Sequence, residues 1–212
     1  MSPTMRWEPN ARGRLERAAM ELYRERGYDQ TTVAQIAERA GLTERTFFRH
    51  FADKREILFA GGTELQDRVV AAVTAAPVSA PPLEAALAGI EAAGTMLEER
   101  RGRRFARQRQ RIIAGSPELR ERELHKLAAL AAGVSKALNE RGAGEPGASI
   151  MGELAVSIFR ISFERWVAES GGPGLIELMR TSLDALRALI ASSAAVSASG
   201  SRAPGRSGSA AR

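Results

Sequence analysis

The stretch Thr31 to Thr43 (TTVAQIAERAGLT) leaves little freedom in how the chain folds around it. Thr32 followed by Gln35 is the capping-box pattern T-x-x-Q, in which a hydroxyl and a side-chain amide satisfy the free N–H groups at a helix start. Val33, Ile36, Ala37 and Ala40 then recur at i, i+3, i+4 and i+7, which is one face of a helix. Gly41 ends that helix, because glycine takes the left-handed backbone that closes helices. Only Leu42 and Thr43 separate it from the next, which Thr43 is placed to cap. Two short helices joined by so abrupt a turn have the layout of a helix-turn-helix.

The rest of the chain also reads as helix, since Ala, Leu, Arg and Glu dominate and no stretch alternates with period two. A first helix over about 11–26 sets Leu15, Ala18, Ala19, Leu22 and Tyr23 in one stripe, with Gly27 just past its end. Asp53 with Glu56 caps a longer helix running to about Ala76. Beyond a break at Val78–Pro82, five more helices are expected over about 82–99, 104–114, 117–141, 148–170 and 174–192. The fold class is therefore all-α with about nine helices. Its parts are a flexible arm over 1–10, a three-helix unit over 11–57, a second helical domain over 58–192 and a tail over 193–212. The tail is Ser, Ala, Gly and Arg with one Val and one Pro, too little apolar surface to offset its ordering entropy, and is expected to be disordered.

Composition narrows the chemistry. Cysteine is absent and histidine occurs only at His50 and His125, which excludes disulfides, thiolate metal sites and multi-histidine centres; no metal or cofactor is expected. No paired carboxylates, activated nucleophile or Gly-rich phosphate loop stands out, so an enzyme is poorly supported. There is no run of 18 or more apolar residues and no signal-peptide core near the start, which reads as a cytoplasmic protein without membrane contact. The net charge of +6 suits a polyanionic partner. Arginine supplies nearly all of it, lysine occurring only at 54, 126 and 136. With so much Ala and Gly, that pattern also follows from GC-rich codon usage, so charge alone carries modest weight.

The segment TERTFFRHF (Thr43–Phe51) places three phenylalanines and two arginines in nine residues. At about 100° per residue, Phe47 and Phe51 share one face while Arg45, Phe48 and Arg49 share another. Both faces cannot be buried, because desolvating two unpaired guanidiniums costs several kcal/mol each. Phe47 and Phe51 are therefore expected inside and Arg45, Phe48 and Arg49 outside. From these residues alone, an outward face suited to DNA and an ordinary solvated face both remain open.

Residues 11–58 resemble the N-terminal domain of TetR-family transcriptional regulators, above all in Thr31–Thr43, Thr46–Phe51 and Asp53–Leu58. The resemblance implies a helix-turn-helix DNA-binding domain joined by a long helix to a C-terminal ligand-binding and dimerisation domain. It implies that Thr32 and Thr43 cap helices and touch phosphates. Arg45, Thr46 and Arg49 would face base edges or backbone, and His50 and Lys54 would meet phosphates. Position 48 is commonly tyrosine in the family, so Phe48 keeps only apolar packing there. The expected activity is that of a repressor released from a palindromic double-stranded operator by a small-molecule effector. A ligand between the 82–99 and 148–170 helices would shift the 104–114 helix and the helix after Asp53, and so alter the spacing of the two recognition helices. A constitutive DNA-binding protein without an effector stays open as an alternative.

Met96, Phe105, Phe159, Phe163 and Trp166 are the candidate lining of an effector pocket, with packed core as the alternative for each. The apolar stripes of the last two helices exceed the needs of one small domain. They suggest a homodimer through those helices, with Ile158, Ile161, Leu178, Met179, Leu183 and Leu186 as candidate interface residues. The basic run Arg100–Arg111 reads as a solvated or salt-bridged face, with interdomain coupling or direct DNA contact as alternatives.

Overall fold

The computed structural model describes residues 10–100 and 102–200, with side chains described as far as 192. All of the regular structure among them is helical. Helix α1 spans Ala11–Arg26, α2 Val33–Arg39, α3 Glu44–His50, α4 Lys54–Phe59 and α5 Gly62–Ala75. Then follow α6 Pro82–Arg100, α7 Gly102–Ala114, α8 Pro117–Glu140, α9 Gly147–Ala168 and α10 Leu175–Gly200.

The caps read from the sequence are those that form. Thr32 and Gln35 close both hydrogen bonds of a capping box, at 3.2 and 3.0 Å. Thr43 accepts from the Thr46 N–H, Asp53 from Glu56 and Ser116 from Leu119, with Pro117 in the first turn of α8. The long helix expected from Asp53 to Ala76 is instead two. Gly61 takes φ 86°, a left-handed conformation that only glycine adopts cheaply, and it divides α4 from α5. At the other end α10 runs to Gly200 rather than stopping near 192. Ala194, Ala195 and Ala198 are strong helix formers and extend the last turns. The remainder of the expected tail and nearly all of the N-terminal arm lie outside the described residues.

Two apolar cores organise the chain. The first gathers Leu15, Leu22 and Tyr23 of α1, Ile36 of α2, Phe47 and Phe51 around α3, and Ile57, Leu58 and Phe59 of α4. It also takes in Ile113 of α7 and Leu119 of α8. The boundary expected at 57/58 therefore cuts through a packed helix, and Leu58 and Phe59 belong to the N-terminal unit. The second core packs α5, α6, α8, α9 and α10 around Val69, Ile90, Val134, Phe159 and Met179. There α8 and α9 approach so closely at Gly152 that a Cβ would lie 2.7 Å from the Ala131 carbonyl oxygen.

That second core corrects the expected dimer surface. Ile158, Leu178, Met179 and Leu183 are buried within the single chain, because α9 and α10 pack on each other and on α6, so they offer no surface to a partner. Leu186 is partly buried against the same core. Ile161 alone among those candidates is exposed, and Ile150 and Ile190 are exposed on the same two helices.

Candidate nucleic-acid interface and regulatory cleft

α3 is a seven-residue helix held on one side by aromatic packing. Phe47 and Phe51 are fully buried with ring centroids 5.6 Å apart, and the Phe47 and Phe48 rings meet edge to face with centroids 5.4 Å apart. Phe48 itself is 56% exposed, and Arg45 and Arg49 are exposed beside it. The division of the three phenylalanines thus follows the helical arithmetic. Thr43 and Thr46 bring their hydroxyls to 3.0 Å of each other at the N-terminus of α3, while Thr32 is exposed at the start of α2. Free N–H groups, hydroxyls and guanidiniums are therefore presented together, the donor set that phosphate oxygens and base edges accept from.

Two candidates sit differently. The Lys54 ammonium donates to the carbonyl oxygens of Tyr28 and Thr31, both at 2.9 Å, and lies 4.4 Å from the Tyr28 ring centroid. It pins the α1–α2 loop onto α4 rather than standing free. The His50 ring is half-buried, and its Nε2 is buried with no hydrogen-bond partner. Burial lowers its pKa from the usual imidazole value, and the neighbouring charges of Arg49 and Arg12 add to that.

Arg14 was not apparent as a functional residue in the sequence. From α1 its guanidinium donates to Ala40 O at 2.5 Å, fixing the turn between α2 and α3; Gly41 takes φ 64° there. Nothing local marks that role, since it joins residues 26 positions apart.

Below this surface lies a cleft of about 1650 Å³ between the two cores. Met96, Phe105, Phe159 and Phe163 line it together with Leu97 and Leu127. Trp166 does not. It is buried in the second core with the Arg103 guanidinium 5.6 Å from its ring centroid. The cleft reaches Phe59 of α4, so its far wall belongs to the helix-turn-helix unit.

The arginine run divides its contacts between the two ends of the molecule. Arg103 donates to the carbonyls of Gly171 and Pro173, and Arg107 to those of Val167 and Glu169, so both close the turn between α9 and α10. Gln108 donates to Met20 O at 2.8 Å, and Arg109 to Leu58 O at 2.6 Å, so the next residues of α7 tie to α1 and α4. Arg109 also makes a bidentate pair with Glu123. Among the described residues no group of three or more His, Asp or Glu is placed to hold a metal, and no helix is long and apolar enough to cross a membrane.

Residues 16–60 match the family described as bacterial regulatory proteins of the tetR family, and residues 80–191 match the MftR C-terminal domain. Over 74 residues the chain is 42% identical to the HTH-type transcriptional regulator TcmR of Streptomyces glaucescens, across 35% of this chain and 33% of that relative. The alignment thus spans about a third of that curated protein's length. Among solved structures, a putative TetR-family regulator from Syntrophomonas wolfei superposes with TM-score 0.61 at 16% identity, covering 84% of this chain and 94% of that one. The regulator FadR from Bacillus subtilis, solved with stearoyl-CoA, gives 0.58 at 20% identity over 81% and 95%. FadR from Thermus thermophilus, solved with lauroyl-CoA, gives 0.50 at 23% over 82% and 91%. At these identities the structural likeness is one of fold. With both the helix-turn-helix segment and the longer regulatory segment matched, the chain belongs to the TetR family of DNA-binding transcriptional regulators.

Proposed function

We propose that the protein is a homodimeric repressor that leaves a two-fold symmetric operator when an amphipathic small molecule enters the cleft. The supporting observation is that one cleft is lined both by Phe159 and Phe163 of α9 and by Phe59 of α4, so a ligand that spans it reaches the DNA-binding unit. Met96, Leu97, Phe105, Leu127, Phe159 and Phe163 give the cleft an apolar stretch, which favours a ligand with an apolar body. The acyl-CoA molecules in the two FadR structures are ligands of that kind. Exposed Ile150, Ile161 and Ile190 on α9 and α10 support pairing with a second copy through those helices.

On DNA, Arg45 and Arg49 are assigned to base edges or backbone and Thr32, Thr43 and Thr46 to backbone, while Phe48 contributes apolar packing only. His50 is assigned a further phosphate contact, and Lys54 is assigned mainly to holding the loop that positions Thr32, which its bonds to Tyr28 O and Thr31 O support. The test is a footprint of the purified protein on the DNA flanking its own gene, with and without dodecanoyl-CoA. Two-fold symmetric protection that the ligand relieves is expected. An asymmetric footprint, or none, would overturn the operator reading, and protection that no amphiphile relieves would overturn the effector reading.

A further inference from the structure

Phe59, the last residue of α4, lies among three cationic groups. The guanidinium carbons of Arg109 and Arg122 stand 5.1 and 5.4 Å from its ring centroid, and the Lys126 ammonium stands at 5.8 Å. All four side chains line the cleft. A ring face attracts a cation weakly and does not neutralise it. Arg109 is offset by its bidentate pair with Glu123, at 3.1 and 2.7 Å. Among the described residues no ion pair holds Arg122 or Lys126. Burial lowers the Lys126 pKa, Arg122 and Arg109 lower it further, and Glu123 and Glu56 oppose this only in part. Like charges gathered in a half-buried place are stabilised when an anion joins them.

We infer that Arg122 and Lys126, backed by Arg109, bind the anionic group of the effector beside Phe59, so that this protein senses an anionic amphiphile rather than a neutral one. The inference rests on the cleft being the effector site. Its two halves are complementary to the two halves of such a ligand. Met96, Phe105, Phe159 and Phe163 accept an apolar chain, and the cations on α8 and α7 accept a carboxylate or a phosphate. The anion would sit where α8 meets α4, the point at which the ligand bears on the DNA-binding unit.

Calorimetric titration of the full chain with dodecanoate, dodecanoyl-CoA and dodecan-1-ol separates the possibilities. The wild type is expected to bind at least one anionic probe about tenfold or more tightly than the alcohol, with a preference that shrinks as salt rises from about 0.05 to about 0.5 M. In the Arg122→Gln, Lys126→Gln double variant that preference should fall below about threefold while the alcohol binds as before, which also shows that the cleft is intact. Lys126→Gln alone should give an intermediate loss and serves if the double variant fails to fold. Tight binding of dodecanoate assigns a carboxylate, and tight binding of dodecanoyl-CoA alone assigns the phosphates; either supports the site. Equal affinity for charged and neutral probes, or a preference untouched by the variants, overturns the anion site and leaves the cleft as a site for apolar ligands. Binding of none of the three overturns both.

Discussion

Replacing Arg109 by alanine tests how firmly α7 is fastened to the DNA-binding unit. Its Nε donates to the Leu58 carbonyl at 2.6 Å, and its two terminal nitrogens hold Glu123 at 3.1 and 2.7 Å. The carbonyls at the end of α4 lack helical partners, so this donor is not readily replaced. A hydrogen bond from a charged donor is worth about 1.5–3 kcal/mol. The Arg109 and Glu123 side chains are 19% and 22% exposed, which places the pair between a surface bridge of up to about 1 kcal/mol and a buried one, whose breaking costs about 3–5 kcal/mol. Taken together, Arg109→Ala should destabilise by about 2–4 kcal/mol, and a cycle with Glu123→Ala should show about 1–2 kcal/mol of coupling. Urea unfolding at fixed protomer concentration measures both, concentration being held because a dimer's stability depends on it. Arg109→Lys keeps the charge but not the fork and should recover less than half. A loss below about 1 kcal/mol, with no coupling, would mean that water screens the network and that it fastens nothing.

Arg49→Ala should weaken operator binding by about 1–3 kcal/mol if the guanidinium reads a base, and equally on random DNA if it meets only phosphate; competitive gel shifts decide. Phe48→Tyr restores the phenol common in the family, and tighter binding of all DNA sequences would show that a phosphate lies within its reach. Gly152→Ala should cost about 1–3 kcal/mol in thermal or urea unfolding, because the new methyl group meets the Ala131 carbonyl across the α8–α9 contact. Wild-type stability would rule out so close an approach of the two helices. His50 is harder to protonate in the folded protein than in the unfolded chain, so its contribution is complete above the unfolded value of about 6.5 and is lost as pH falls below it towards the lowered folded value. His50→Asn should therefore flatten the fall in melting temperature between about pH 7 and about pH 5, and parallel curves would exclude a role for His50.

The helix-turn-helix was legible because its determinants are local. Thr32 with Gln35, Gly41, Thr43 and the Phe47–Phe51 spacing all act within one or two turns, and each took the role its spacing implied. The break at Gly61 was legible in principle, since Gly61-Gly62 is a weak point for a helix. The apolar stripe on either side nevertheless reads as continuous. The second half was less readable for a physical reason. When α9 and α10 are apolar on several faces, periodicity identifies them as buried but does not say whether their own chain or a partner covers each face. Leu178 and Met179 belong to the former case, whereas Ile161 remains uncovered. The arginine run was the least legible, because Arg100, Arg103, Arg107 and Arg109 found carbonyl or carboxylate partners through the fold rather than through the sequence. Arg107 bonds residues about 60 positions away and Arg109 one 51 positions away.

Those partners bear on how an effector can reach the DNA. Arg103 and Arg107 close the carbonyl ends of α9 and the turn into α10, while Gln108 and Arg109 reach α1 and α4. One short helix, α7, is thus fastened to the regulatory core at its start and to the DNA-binding unit further along, and Phe105, Ala106 and Gln110 between and beside those ties line the cleft. A ligand shifts a conformational equilibrium only by its difference in affinity for the two states. An occupant confined to Phe159 and Phe163 has no reason to prefer one setting of α7 over another, however tightly it binds. An occupant that also touches Phe105 or the cations beside Phe59 has that preference built into its contacts. With the cleft as the effector site, as proposed, affinity for the cleft and power to release DNA would be separable quantities, and the second would depend on how far towards α4 the ligand reaches.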